Sequence, residues 1–334
     1  MLSGDRAGMH GLVVKRRSRI MTCLVVRAGG SRVFPHWKAL FAELMPELEV
    51  REWDDPTLDP AHIDYALVWQ PEPGRLAAMP NLRAILSVAA GVEHVVCDPS
   101  WSRSIPLIRM GEEQTRGQMA DYVLWAVLSL LRDAPRWQAG QAAGQWVRRE
   151  RAPLLSSDMQ VGVMGLGSLG EVVARRLAAA GFGVLGWSRS EHRIDDVRCF
   201  WGESQRAAFV AECHVLVCLL PETEQTRGLI TYELLGQLRQ PSGLVNVARG
   251  PIVVEADLLR ALEDGVLHGA VLDVFDHEPL PPESPLWHAP RVMITPHIAS
   301  EASRPVRARQ VVQTIRALER GELVPLRYDP ARGY

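Results

Sequence analysis

Residues Val161 to Gly170 read V-G-V-M-G-L-G-S-L-G, an apolar run that breaks into G-x-G-x-x-G at Gly165, Gly167 and Gly170. A helix-forming segment, Leu169 to Ala180, follows directly. Between a strand and a helix the three glycines do different things. The first allows the tight turn, the second admits a pyrophosphate against the backbone, and the third lets helix and strand pack closely. Amides at the helix start, around Ser168 and Leu169, then face the anion. The stretch therefore predicts a dinucleotide-binding α/β unit.

The same grammar extends in both directions. Downstream, short apolar strands are predicted at 184–187, 214–220, 244–247, 269–273 and 292–295, with a helix at 255–262, which is doubly wound parallel-sheet order. Upstream, strands at 23–27, 65–69, 84–88 and 105–109 and a helix at 36–44 form a smaller unit of the same kind. A long helix at 118–131 joins the two, and a last helix at 302–320 is placed to pack back on the first unit. Two Rossmann-like units suit a chain of 334 residues, 47% hydrophobic and 23% charged.

A net charge of −2 offers no general attraction to a polyelectrolyte, so no nucleic-acid partner is expected. The longest apolar stretches, such as Val123 to Leu131, are too short to span a bilayer, so no membrane partner is expected either. Residues 1–20 carry Lys15, Arg16 and Arg17 but no continuous apolar core, which argues against a secretory signal. They read as a disordered extension or an upstream start, with Met21 opening the folded part of a cytoplasmic protein. The five cysteines are scattered without C-x-x-C spacing, which predicts buried free thiols and no metal site.

The end of the second strand in such a unit selects the dinucleotide, because a carboxylate there bonds the ribose 2′-hydroxyl and repels a 2′-phosphate. Here it reads Trp187, Ser188, Arg189, with a guanidinium and no carboxylate. NADP(H) is therefore expected to be preferred, with NAD(H) possible. Three later segments place polar residues where apolar strands meet loops: Asn246 to Gly250, Asp273 to Pro279, and Thr295 to His297. Reduction of a small 2-oxo acid needs a cation for the carboxylate, an acid for the developing alkoxide and an anion that keeps that acid charged. Arg249, His297 and Glu278 suit these roles in that order.

With these residues in place, the chain resembles the D-isomer-specific 2-hydroxyacid dehydrogenases, and within them the bacterial glyoxylate/hydroxypyruvate reductases of the A type. The resemblance is carried by Tyr65 to Trp69, Val161 to Gly170, Trp187 to Arg189, Leu219 to Thr223, Asn246 to Gly250, Leu272 to Leu286, Thr295 to Ala299 and the ending Ala331 to Tyr334. It implies a formate/glycerate dehydrogenase-like fold, with residues 21–113 and 299–334 forming a discontinuous substrate-binding domain and 114–298 the dinucleotide-binding domain. It also implies that Arg249 binds substrate, Glu278 tunes His297, and His297 is the acid/base. Asp273 would hold the nicotinamide carboxamide, and Leu220, Pro221, Thr226, Val247 and Ala248 would lie along the cofactor. The segment Ala90, Gly91, Val92 would bind the substrate carboxylate through backbone amides, with Trp69 beside it. Ala89 departs from the glycine with which the family usually begins that loop. A homodimer joined through the helix near Gln118 is implied as well. Two other functions stay open at this point: reduction of another 2-oxo acid such as pyruvate, and a dinucleotide-sensing interaction protein on the same fold.

Overall fold

The computed structural model describes residues 21–89, 91–109, 113–148 and 154–330. The expected extension at 1–20, Ala90 and the ending 331–334 lie outside the described residues. The first part of the chain runs β1 (Thr22–Arg27), α1 (Phe34–Leu44), β2 (Leu48–Glu52), β3 (Tyr65–Val68), β4 (Ala84–Ser87), α2 (Glu93–Val96) and β5 (Leu107–Ile108). The five strands form a parallel sheet in the order β2-β1-β3-β4-β5. The unbroken apolar runs of β3 and β4 fit strands covered on both faces, since parallel strands are joined by crossovers that lie over the sheet.

The second part runs α3 (Glu113–Leu131), α4 (Ala134–Ala142), β6 (Gln160–Met164), α5 (Ser168–Ala179), β7 (Gly183–Ser188), β8 (Val197–Trp201) and α6 (Gly202–Glu212). It continues through β9 (Val215–Cys218), α7 (Tyr232–Leu235), β10 (Gly243–Asn246), α8 (Glu255–Glu263), β11 (Gly269–Leu272) and β12 (Val292–Ile294). Its seven parallel strands are ordered β12-β11-β10-β9-β6-β7-β8. The order reverses at β6, where the chain leaves a crevice at the carboxyl ends of the strands. The last helix, α9 (Arg304–Glu319), returns to α1, and its Ala308, Val311, Val312 and Ile315 are buried in one cluster with Leu24, Trp37 and Phe41.

Two strands and four helices, α2 and α7 of four residues each among them, have no counterpart among the elements expected from sequence. β2 and β8 are edge strands whose sequences, L-E-V-R-E and V-R-C-F-W, mix charge with apolar residues because one side or end meets water. α6 buries only Phe209 and Val210, and α4 only Pro135 and Gly140, too few for a visible helical stripe. The strand expected at 105–109 shrinks to two residues, with Ile108 bridged antiparallel to Arg327. Of the cysteines, Cys23, Cys213 and Cys218 are buried free thiols. Cys199 is half-buried and Cys97 is exposed, which corrects the expectation of five buried thiols: the residues beside Cys97 at the end of α2 do not cover it.

Candidate active site

Register places the site. Met164 at the end of β6 pairs with Trp187 of β7 and Cys218 of β9, Cys218 with Asn246 of β10, Asn246 with Leu272 of β11, and Leu272 with Ile294 of β12. The next residues, Gly165, Ser188, Leu219, Val247, Asp273 and Thr295, therefore emerge along one edge of the sheet. Gly165 has φ of 110°, open to glycine but costly to other residues, and a Cβ there would stand 2.7 Å from the Leu219 carbonyl oxygen. A Cβ on Gly170 would collide with the Gly165 carbonyl oxygen, so this glycine is required for packing. Gly167 differs: its φ is −71° and a Cβ would meet no protein atom within 4 Å. Gly167 is also the N-cap of α5 and offers no side chain to the helix's first amides, so those donors, around Ser168 and Leu169, are suited to an anion. The cradle fits a dinucleotide pyrophosphate.

At the end of β7, Ser188 is buried and Arg189 exposed. The Ser188 hydroxyl donates to the Ser190 carbonyl at 2.7 Å, so His192 Nδ1, 2.9 Å away, donates to Ser188. His192 thus stands beside the predicted 2′-phosphate residues, a neighbour that the sequence pattern did not single out. Thr226 uses its hydroxyl within its own loop, donating to the Pro221 carbonyl at 2.7 Å and accepting from the Thr223 amide at 2.8 Å. Leu220, Val247, Ala248 and Trp187 are buried beneath these loops.

Glu278 and His297 meet directly: Nδ1 of His297 lies 2.6 Å from Oε2 of Glu278. The carboxylate's other oxygen accepts from the Phe275 amide at 2.9 Å. The Glu278 bond raises the His297 pKa above its usual value, against the opposing effect of burial and the Arg249 charge. Burial works to raise the Glu278 pKa, but bonds from His297 and Phe275 outweigh it and hold the carboxyl below its usual value. Both shifts favour the charged forms, imidazolium beside carboxylate, and Nε2 of the ring is free of Glu278. His297 has φ of 55°, an uncommon left-handed conformation for a residue with a Cβ.

Arg249 reaches across to α2 of the first part of the chain. Its Nε donates to Glu93 Oε1 at 2.7 Å and its Nη1 to the Ala248 carbonyl at 2.6 Å. Burial pushes the Glu93 pKa up, but Arg249 more than offsets this and leaves the carboxyl below its usual value. Gly91 lies under the guanidinium, where a Cβ would collide with Nη2. Glu93 gives no signal in the sequence because its partner is 156 residues away. His94 next to it is also organised. The Ser87 hydroxyl donates to the Gly91 carbonyl at 3.0 Å, so His94 Nε2–H donates to Ser87 at 3.0 Å and Nδ1 accepts from the Gln70 amide at 3.2 Å. Burial keeps this ring neutral by lowering its pKa to about 4. Trp69 packs against it with ring centroids 4.6 Å apart, and Val92 is buried. Ala89 is not among the residues of positive φ, and its amide donates to Ser87, so alanine is unstrained there.

A sheet crevice with a glycine cradle, an arginine after the second strand and a hydrogen-bonded His–Glu pair near a second arginine fits a nicotinamide-dependent oxidoreductase of 2-hydroxy acids. The sequence profile of the D-isomer specific 2-hydroxyacid dehydrogenase NAD binding domain matches residues 124–299. The glyoxylate/hydroxypyruvate reductase A of Escherichia fergusonii is 41% identical over 305 residues, covering 89% of this chain and 96% of that one. A D-isomer specific 2-hydroxyacid dehydrogenase from Xanthobacter autotrophicus, solved with NADPH and MES, superposes with a TM-score of 0.87 at 38% identity, covering 94% of this chain and all of that one. An NADPH-dependent glyoxylate/hydroxypyruvate reductase from Sinorhizobium meliloti, solved with NADP and sulfate, gives 0.84 at 35% identity, covering 94% of this chain and 100% of the other. The chain belongs to the D-isomer specific 2-hydroxyacid dehydrogenases. Among the described residues no helix is long and apolar enough to cross a membrane.

Proposed function

We propose that this chain reduces glyoxylate and hydroxypyruvate with NADPH, yielding glycolate and D-glycerate. The observation that carries this reading is the hydrogen-bonded Glu278–His297 pair, on the same sheet edge as the glycine cradle and within electrostatic reach of Arg249. When bound, the reduced nicotinamide supplies a hydride to the carbonyl carbon. Gly165, Gly167, Ser168, Leu169 and Gly170 would hold its pyrophosphate, Ser188 and Arg189 its 2′-phosphate, and Asp273 its carboxamide. Trp187, Leu220, Pro221, Val247 and Ala248 would shape the cleft, with Thr226 closing the Pro221 loop.

Arg249 binds the substrate and polarises its carbonyl, with the amides of the loop ending in Gly91 and Val92 on the carboxylate and Trp69 beside them. His297 delivers the proton from Nε2 to the carbonyl oxygen as charge develops there, while Glu278 holds Nδ1 and stabilises the charged ring. In the reverse direction the neutral imidazole accepts that proton.

The division we propose, residues 21–113 with 299–334 for substrate and 114–298 for the dinucleotide, is supported by the two sheets and by the return of α9 to α1. A homodimer through α3 is supported by the exposed Trp125 and Leu128 on that helix, with Trp146 and Leu155 following it. Sedimentation at one chain's mass would overturn the dimer. Free thiols suit the cytoplasm, where fractionation should find the protein.

The test is oxidation of NADPH and NADH with glyoxylate, hydroxypyruvate and pyruvate in parallel. Turnover with NADPH and the first two is expected, and no turnover with any oxo acid would overturn the reading. Arg189→Ala should weaken NADPH by about 1.5 to 3 kcal/mol, the loss of a charged hydrogen bond, and spare NADH.

A further inference from the structure

The segment that carries His297 is held from outside its own sheet. Residues Thr115, Gln118 and Tyr122 of α3 stand at i, i+3 and i+7, on one helix face. Each makes a hydrogen bond to the same short stretch: the Ser300 hydroxyl donates to the Thr115 carbonyl at 2.9 Å, the Glu301 amide to Gln118 Oε1 at 3.0 Å, and Tyr122 meets the Thr295 hydroxyl. Thr295 donates its only hydroxyl proton to Asp273 Oδ1, 2.6 Å away, so Tyr122 is the donor to Thr295. Burial supports this direction by raising the Tyr122 pKa to about 12, which keeps the phenol protonated.

Asp273 is the other half of the arrangement. Its side chain is fully buried; Oδ1 also accepts from the Ile298 amide and Oδ2 from the Ala299 amide, each at 2.8 Å, while its carbonyl accepts from the His297 amide at 2.9 Å. Three consecutive amides, 297 to 299, are thus turned onto one residue. That convergence holds His297 at its left-handed φ, a conformation that persists only where the surroundings impose it.

We propose that Tyr122 is a positioning residue for the general acid, acting through Thr295 and Asp273 to hold His297 against Glu278. Tyr122 touches none of the reacting atoms. Its phenol fixes the Thr295 rotor, Thr295 fixes the Asp273 carboxylate, and Asp273 fixes the turn from which the imidazole projects. The charged groups that act on His297 are Glu278, Arg249 and Asp273, of which Glu278 dominates. A turn that relaxes moves the ring away from Glu278 and lowers its pKa.

The proposal rests on the reading of His297 as the acid, and two measurements separate them. In Tyr122→Phe, kcat for glyoxylate reduction should fall about 10- to 100-fold, the scale of a misplaced catalytic group, with KM little changed. The alkaline limb of the rate profile should move to lower pH. Thr295→Val should do the same, and Thr295→Ser, which keeps the hydroxyl, should recover most of the rate. Independently of turnover, NMR titration of the His297 ring in the free protein should show a lower pKa in Tyr122→Phe than in the parent. An unchanged His297 titration, or a loss of rate in Tyr122→Phe with an unmoved alkaline limb, overturns the positioning role. A parent protein without turnover but with the titration shift would instead sink the functional reading and leave the placement of His297 by Tyr122 standing. Melting temperature and NADPH affinity are measured alongside, and a Tyr122→Phe protein that melts early but titrates as the parent counts against the proposal.

Discussion

The proton chemistry of the site comes down to one 2.6 Å contact, between His297 and Glu278. If His297 is the acid, as proposed, the bond that raises its pKa keeps it charged up to that raised value, and reduction should fade as pH climbs through it. Glu278→Gln removes the anion, so the alkaline limb of kcat/KM for reduction should shift to lower pH, and oxidation should gain at the low-pH end. A limb that stays in place would mean another group sets it. Gly91 makes a different prediction. Its missing Cβ is what lets the Arg249 guanidinium lie over the loop. In Gly91→Ala the arginine must swing aside, so KM for the oxo acid should rise at least tenfold while NADPH affinity holds, as steady-state and fluorescence titrations would read.

Among elements, the glycine loop separates two kinds of requirement that look identical in sequence. Gly170 is demanded by the protein itself, since a Cβ there collides with the Gly165 carbonyl. Gly167 has open space and an ordinary φ. Gly170→Ala should therefore lower the melting temperature, at a cost of about 1 to 3 kcal/mol or more for overpacking. Gly167→Ala should leave the melting temperature near the parent's and weaken NADPH. Equal thermal losses in both would contradict the assignment of Gly167 to the ligand. The contrast also explains what was legible in the chain. Central strands such as β6 and β10 announce themselves because both faces are buried. Edge strands β2 and β8 escape notice because half their positions answer to water. Arg249, Glu278 and His297 stood out because polar side chains in the short loops that follow apolar strands are informative. Glu93, His192 and Tyr122 did not, since their meaning lies in partners met only after folding.

For the whole molecule, the path of the chain matters as much as its sheets. The first sheet is completed by its last residues: α9 covers α1, Ile108 of β5 bridges Arg327, and the ring of Tyr328 packs on Trp101 at 5.9 Å. The seven-stranded sheet draws all of its strands from residues 160–294. A chain ending at residue 303 should accordingly keep a protease-resistant core containing 160–294 and be cut readily within 21–108. Uniform resistance would argue against this division. The same geometry sets an order of events on the ribosome. Residues 22–108 emerge well before α9, the helix that roofs Leu24, Trp37 and Phe41. At roughly 5 to 20 residues per second, this first sheet waits about ten seconds to a minute for its cover. During that interval its bare apolar strands are the surface that a chaperone at the exit tunnel would hold.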